Sequence, residues 1–283
     1  MPELPEVETV ARGLRAVLPG RRILGVRLGK TDFIDDPAAI EQQLPGTRIN
    51  EVRRHGKFLV LDLEASNGGA RDLSLLVHLG MTGQIVICPP GARIAPHTHV
   101  FLVLDDGQEL RYTDIRRFGR ICILADGSRE EVFGPLGLDP LEATEAEFLG
   151  ALHGRRARIK ALLLDQHVLR GMGNIYTDES LWRARIHPMR LGARLKCDEL
   201  RRLHRAVRGV LTEAIRLRGS SISDYVDSHG QPGEFQRRHR VYQREGKKCF
   251  RCGAPIRRVI VAGRSSHFCP RCQPAPRSHH SRQ

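Results

Sequence analysis

The chain has 283 residues and a formal net charge of +14, with a pI of about 10.2. An excess of 46 Lys and Arg over 32 Asp and Glu points to nucleic acid first and to an anionic membrane surface second. No apolar run approaches the roughly 18 residues of a membrane span, and the N-terminus lacks the basic start and apolar core of a signal peptide, so a cytoplasmic protein of about two domains is expected.

The chain opens Met1-Pro2-Glu3-Leu4-Pro5-Glu6-Val7-Glu8. Removing Met1 would leave Pro2 with a free secondary amine. Terminal amines titrate at about 7.7–8.0, against about 10.4 for lysine, so a useful fraction is nucleophilic at neutral pH. Glu3 beside it could move protons as a Schiff base forms and breaks. The competing reading is a proline-rich lead-in to a helix. Residues 3–18 do read as an amphipathic helix, with Val7, Val10, Ala11, Leu14 and Leu18 at helical spacing and Pro19-Gly20 as the stop.

Short β-like runs follow at 22–28, 47–54, 57–63, 73–79, 84–88, 99–104, 109–112 and 120–124, punctuated by Gly, Pro, Asn and Asp. Their spacing suggests a sandwich or barrel. Lys57 follows His55-Gly56 and opens an apolar strand; a lone lysine there is either a solvated strand edge or a functional group. Tyr112 to Gly119 mixes arginines with two aromatics in an expected loop, which suits a wedge that unstacks a duplex and equally suits a packed loop. After Gly134-Pro135 the pattern turns helical, at 144–152, 158–164, 174–184 and 198–217. Gly171-Met172-Gly173-Asn174 opens one of these helices, so its backbone N–H groups could hold a phosphate or simply make a turn. No internal repeat is present.

Seven cysteines occur, and four form Cys249-x2-Cys252-x16-Cys269-x2-Cys272. An odd total in a reducing compartment argues against disulfides, and the spacing fits a four-thiolate zinc site. With every ligand position filled, such a zinc is structural. The segment between the pairs carries Arg257, Arg258, Arg264 and His267, a basic hairpin suited to phosphates. From Pro274 the tail reads as disordered.

Taken together the motifs resemble the formamidopyrimidine-DNA glycosylase family: MPELPEVETV at 1–10, RRHGKFLV at 53–60, HLGMTG at 78–83, RYTDIRRFG at 111–119, GMGNIYTDESLW at 171–182, IHP at 186–188, VYQREGKKC at 241–249 and CPRCQ at 269–273. The resemblance implies a multidomain α+β protein. Its parts are an N-terminal β-sandwich with flanking helices over 1–135, a helix–two-turn–helix DNA-binding domain over 136–235, a zinc finger over 236–273 and a tail over 274–283. It implies damaged double-stranded DNA as partner, one structural zinc, and a monomer acting at the nucleoid. The implied reaction flips an oxidised purine out of the duplex. Pro2 attacks the sugar, Glu3 serves as acid/base, Lys57 assists the first elimination and Arg264 the second. Met81, Arg116 and Phe118 would fill the hole left by the flipped base, with Arg116 facing the orphaned cytosine. His97, Arg156, Lys160, Asn174 and Tyr242, with Arg116, would meet the DNA. Ser220, Ser221 and Ile222, within the loop 219–223, would cap the base. Alternatives are an endonuclease VIII-like enzyme for oxidised pyrimidines, a catalytically silent zinc-finger protein that binds damaged DNA, and an RNA-binding factor. The last explains the charge but not the N-terminus.

Overall fold

The computed structural model describes residues 2–64, 73–125, 128–222 and 224–276. The chain forms two compact units, Met1–Pro135 with Ala214–Gln236, and Leu136–Glu213 with Arg237–Gln283.

The first unit starts with helix α1 (Leu4–Arg15), followed by β1 (Ile23–Leu28), a short α2 (Pro37–Gln43), β2 (Arg48–His55), β3 (Phe58–Glu64), β4 (Leu73–His78), β5 (Gln84–Cys88), β6 (Thr98–Leu104), β7 (Glu109–Thr113), β8 (Arg120–Ala125) and α3 (Arg129–Phe133). The strands make two antiparallel four-stranded sheets, ordered β1-β6-β7-β5 and β2-β3-β4-β8. One apolar core contains Leu59, Leu61, Leu75 and Val77 of the second sheet with Val100, Leu102, Leu110 and Tyr112 of the first. The sandwich expected from the strand spacing is therefore present. In α1 the periodic Val7, Val10, Ala11 and Leu14 are buried, and the helix packs on β2 and β3. Each such aliphatic side chain removed from water contributes about 1.5–3 kcal/mol.

One expectation shifts, and two short helices were not foreseen. Tyr112 and Thr113 belong to β7, and Tyr112 is buried, so the expected loop begins at Asp114 and carries one aromatic, Phe118. Helices α2 and α3 gave no periodic signal because they are short: α2 buries only Ile40 and α3 buries nothing.

The second unit carries α4 (Glu145–Leu152), α5 (Ile159–Leu164), α6 (Asn174–Ala184) and α7 (Cys197–Arg216), whose last residues belong to the first unit, then β9 (Arg257–Val261) and β10 (Arg264–Phe268). Thr144 and Glu147 cap the start of α4 reciprocally. Along α7, Leu200, Leu203, Val207, Val210 and Leu211 point inward while Arg201, Arg202, Arg205 and Arg208 face water. Segment 214–236 belongs with the sandwich because Tyr225 sits in the sandwich core. Of the expected tail, 277–283 lie outside the described residues, as does Ser223 of the 219–223 loop. Among the described residues no helix is long and apolar enough to cross a membrane.

Candidate active site

In the first unit, Pro2 and Glu3 are both buried at the head of α1. The Glu3 amide donates to Glu6 Oε2 at 2.8 Å, and the Ser220 amide donates to Glu6 Oε1 at 2.7 Å. Tyr225 Oη donates to the Glu6 carbonyl at 3.2 Å. One buried carboxylate thus ties the N-terminal residues to the 219–222 segment. Glu6 escaped the sequence reading, although its place three residues after Glu3 is the spacing of a capping box. Two residues on, Glu8 Oε2 accepts Arg54 Nε at 2.9 Å, and Arg54 Nη1 donates to the Gly56 carbonyl at 3.2 Å. The pair is nearly buried, so it fixes α1 against the β2–β3 turn. Lys57 lies in that two-residue turn, between the paired His55 and Phe58, rather than in the strand. Facing Phe58 across the sheet is His78, whose pKa is lowered by burial and then by the charges of Lys57 and Arg120. A neutral His78 beside Lys57 was not singled out from sequence.

The expected hole-filling residues gather at one place. Met81 and Phe118 are 40% and 56% exposed, unusual for large apolar side chains. Arg116 joins them: Nη1 reaches Met81 Sδ at 3.4 Å and the guanidinium lies 4.4 Å from the Phe118 ring centre. Gly80, at φ 60°, permits this closeness, since a methyl there would overlap the Phe118 carbonyl. His97 is exposed and adopts φ 62°. Ser220 is buried, whereas Ile222 is 44% exposed. Ser221 donates through Oγ to the Tyr225 carbonyl.

In the second unit, β9 and β10 join through Ala262-Gly263, both at positive φ, a tight hairpin turn that places Arg264 exposed at the start of β10. A cavity of about 540 Å³ is lined by Arg264, Arg258, Asn174, Tyr242 and His267. Asn174 begins α6 directly after Gly173, so the positive end of that helix faces the same cavity. Arg156 is exposed in the α4–α5 turn.

Lys160 differs from the exposed Arg156 and Arg264 in being buried. Its side chain is 0% exposed; Nζ donates to Asp178 Oδ1 at 2.6 Å and to the Ser265 carbonyl at 2.8 Å. It braces β10 through the Ser265 carbonyl, and Asp178 pairs its charge because leaving water without a partner would cost several kcal/mol. Asp178 Oδ2 also accepts the His267 amide at 2.8 Å. The next residue, Glu179, is buried and accepts the amides of Arg240, Val241 and Tyr242 at 2.9 Å. Burial pushes its pKa up, against those three donors and with the nearby Asp178 charge. The Asp178-Glu179 pair therefore fixes both Arg264's strand and Tyr242.

The four expected cysteines converge: their sulfurs all lie within 4.8 Å of one another, with Cys252–Cys269 at 3.4 Å and Cys249–Cys272 at 4.0 Å. A tetrahedron of Zn–S bonds has edges of about 3.8 Å, so the set fits one zinc. The amides of Arg251 and Cys272 point at Cys249 and Cys269 sulfurs, which favours thiolates. No position is left for water, and the zinc is structural.

Comparisons with known proteins agree with this geometry. Residues 1–121 match the Formamidopyrimidine-DNA glycosylase N-terminal domain, 136–226 its H2TH domain, and 246–275 the zinc finger found in FPG and IleRS. Formamidopyrimidine-DNA glycosylase of Solibacter usitatus is 47% identical over 96% of this chain and 99% of its own length. That of Pelotomaculum thermopropionicum is 45% identical over 96% and 99%. A Lactococcus lactis FPG variant in complex with Fapy-dG-containing DNA superposes with TM-score 0.87 at 33% identity, covering 97% of this chain and all of that one. The L. lactis Fpg complex with abasic-site DNA gives 0.87 at 33%, covering 96% and 100%. With N-terminal sandwich, helical domain and four-cysteine finger each matched in order, the chain belongs to the formamidopyrimidine-DNA glycosylase family.

Proposed function

We propose that this protein is a bifunctional DNA glycosylase and abasic-site lyase of base excision repair, removing oxidised purines such as 8-oxoguanine and formamidopyrimidines from duplex DNA. The observation that carries the reading is the buried Pro2-Glu3 head of α1, held by Glu6 and reached through the Glu8–Arg54 brace by the turn bearing Lys57. With Met1 removed, the Pro2 nitrogen attacks C1′ of the flipped nucleotide. The bond from C1′ to the base breaks, and the base leaves with a proton. Glu3 protonates the ring oxygen as the sugar opens, which gives an iminium ion on Pro2. That cation makes the C2′ proton acidic; its loss expels the 3′ phosphate, and a second elimination expels the 5′ phosphate. Lys57 stabilises charge in the first elimination and Arg264 in the second.

Met81, Arg116 and Phe118 hold open the duplex left by the flipped base, and the guanidinium of Arg116 donates to the unpaired cytosine. Ser220, Ser221 and Ile222 close over the extruded base. His97, Arg156, Asn174 and Tyr242 hold backbone phosphates, with Lys160 acting through Ser265 and Asp178. The finger's zinc supplies rigidity and no reaction step. The protein acts as a monomer, cytoplasmic and nucleoid-associated; a net charge of +14 supports residence on DNA. We place the functional boundaries at 1–135, 136–235 and 236–273.

The test is release of damaged base from duplexes carrying 8-oxoguanine opposite cytosine or thymine glycol opposite adenine. Preferred release of 8-oxoguanine with strand cleavage supports the reading, and preferred release of thymine glycol replaces it with the endonuclease VIII-like one. An N-terminal extension that leaves full activity would remove Pro2 as nucleophile.

A further inference from the structure

We infer that Asp114 is the positioning residue of the duplex wedge, a single buried carboxylate that locks the Met81 loop and the Arg116–Phe118 loop into one rigid body. Asp114 is 0% exposed and lies between two loops far apart in sequence. Oδ1 accepts Thr82 Oγ1 and the Arg116 amide, the latter at 3.2 Å. Oδ2 accepts Tyr112 Oη at 3.1 Å and the Gly119 amide at 2.9 Å. Thr82 Oγ1 also accepts the Arg116 amide at 3.2 Å. The Asp114 amide donates to the His97 carbonyl at 3.0 Å, which draws in a third exposed segment.

Steric fit adds to the polar lock. A methyl at Gly119 would overlap Tyr112 Oη, so the chain passes the phenol as closely as it can. Burial, then the Asp114 charge and hydrogen bond, push the Tyr112 pKa far up, so the phenol stays a donor. A buried carboxylate whose two oxygens meet four donors is a strong constraint, because freeing either side exposes an unpaired polar group at a cost. Wedges need that stiffness: Met81, Arg116 and Phe118 enter a base stack together, and a loop free to fold back would give up the work of unstacking. Asp114 touches no reacting atom.

This inference rests on the proposed glycosylase reading and is tested separately from it. In Asp114→Asn, one side-chain oxygen can still serve Thr82 and Arg116, but the amide nitrogen cannot accept from Tyr112 and Gly119. Thr82→Val cuts the link to the Met81 loop alone and serves if Asp114→Asn fails to fold. Each folded variant is assayed on three substrates: a duplex with 8-oxoguanine opposite cytosine, the same lesion within an unpaired bulge, and a single-stranded abasic oligonucleotide trapped with borohydride. A 2-aminopurine beside the duplex lesion reports unstacking.

The expected result is a loss of about tenfold or more in duplex excision with weakened 2-aminopurine enhancement. The defect shrinks on the bulge, and imine trapping stays within about twofold of the parent. Folded variants with parental duplex excision, or with equal loss on all three substrates, overturn the inference. Absence of base release and imine in the parent itself overturns the glycosylase reading instead.

Discussion

The sandwich unit and the zinc finger hold the cations proposed to act on DNA by opposite means. In the sandwich, Lys57 and Arg116 ride on turns of a large apolar core that draws from both sheets and α1. In the finger, Arg264 rides on a two-stranded hairpin whose core is little more than Trp182, Val241, Ile256 and the buried cysteines. A hairpin of that size is marginal alone. The metal and the Lys160–Asp178 brace replace what apolar burial supplies elsewhere. The difference teaches that a short basic arm can be stiff without a core when ligand bonds and one buried ion pair fix it.

The strongest way to break this comparison is to remove the metal. Structural zinc contributes about 10–16 kcal/mol in isolated fingers, so chelation should unfold the finger while the sandwich stays ordered. Trp182 is the chain's single tryptophan; it lies on α6 and stacks on Arg251 at 4.2 Å, so its emission reports the packing of the finger against that helix. Its emission should shift on chelation with the β-sheet circular dichroism retained; loss of both together would contradict the comparison.

Lys160→Met probes the brace. It leaves Asp178 buried without its cation, and an unfolding free energy lower by about 3–5 kcal/mol is expected from urea titration. In the sandwich, Leu75→Ala opens a cavity in β4 and should cost about 2–5 kcal/mol without moving the Trp182 signal.

Acid sharpens the second unit next. His239 is held down at about 4 by burial and then by the Arg244 charge. The folded state keeps it neutral while the unfolded chain takes up the proton near pH 6.5. The contribution is therefore complete above about pH 6.5 and lost as pH falls through about 4. Up to about 3 kcal/mol is at stake, and His239→Gln should flatten the pH dependence of unfolding by that amount. The smallest effect belongs to Arg120–Asp35, an exposed pair at 2.7 Å: Arg120→Ala should change stability by less than about 1 kcal/mol.

The elements that could be read from sequence were those with a long period. The helix of Val7, Val10 and Leu14, the strands and α7 all show one, and the cysteine spacing fixed the metal. Strand order was not legible, because β1 pairs with β6 and β4 with β8 across long stretches of chain. Residues that work by being buried were also missed. Glu6, Asp114, Asp178 and Glu179 look like ordinary surface acids until the amides they accept are placed around them. Lys160 shows the same limit: its burial and its pairing with Asp178 could not be read from a lysine in a basic chain.

The central claim is that Pro2 is the nucleophile. Borohydride trapping of untagged protein lacking Met1, on a duplex with 8-oxoguanine opposite cytosine, followed by peptide mass spectrometry, tests it directly. A covalent sugar adduct on Pro2 is the predicted result. An adduct on a lysine, or none from zinc-loaded protein with Pro2 free, would contradict the account.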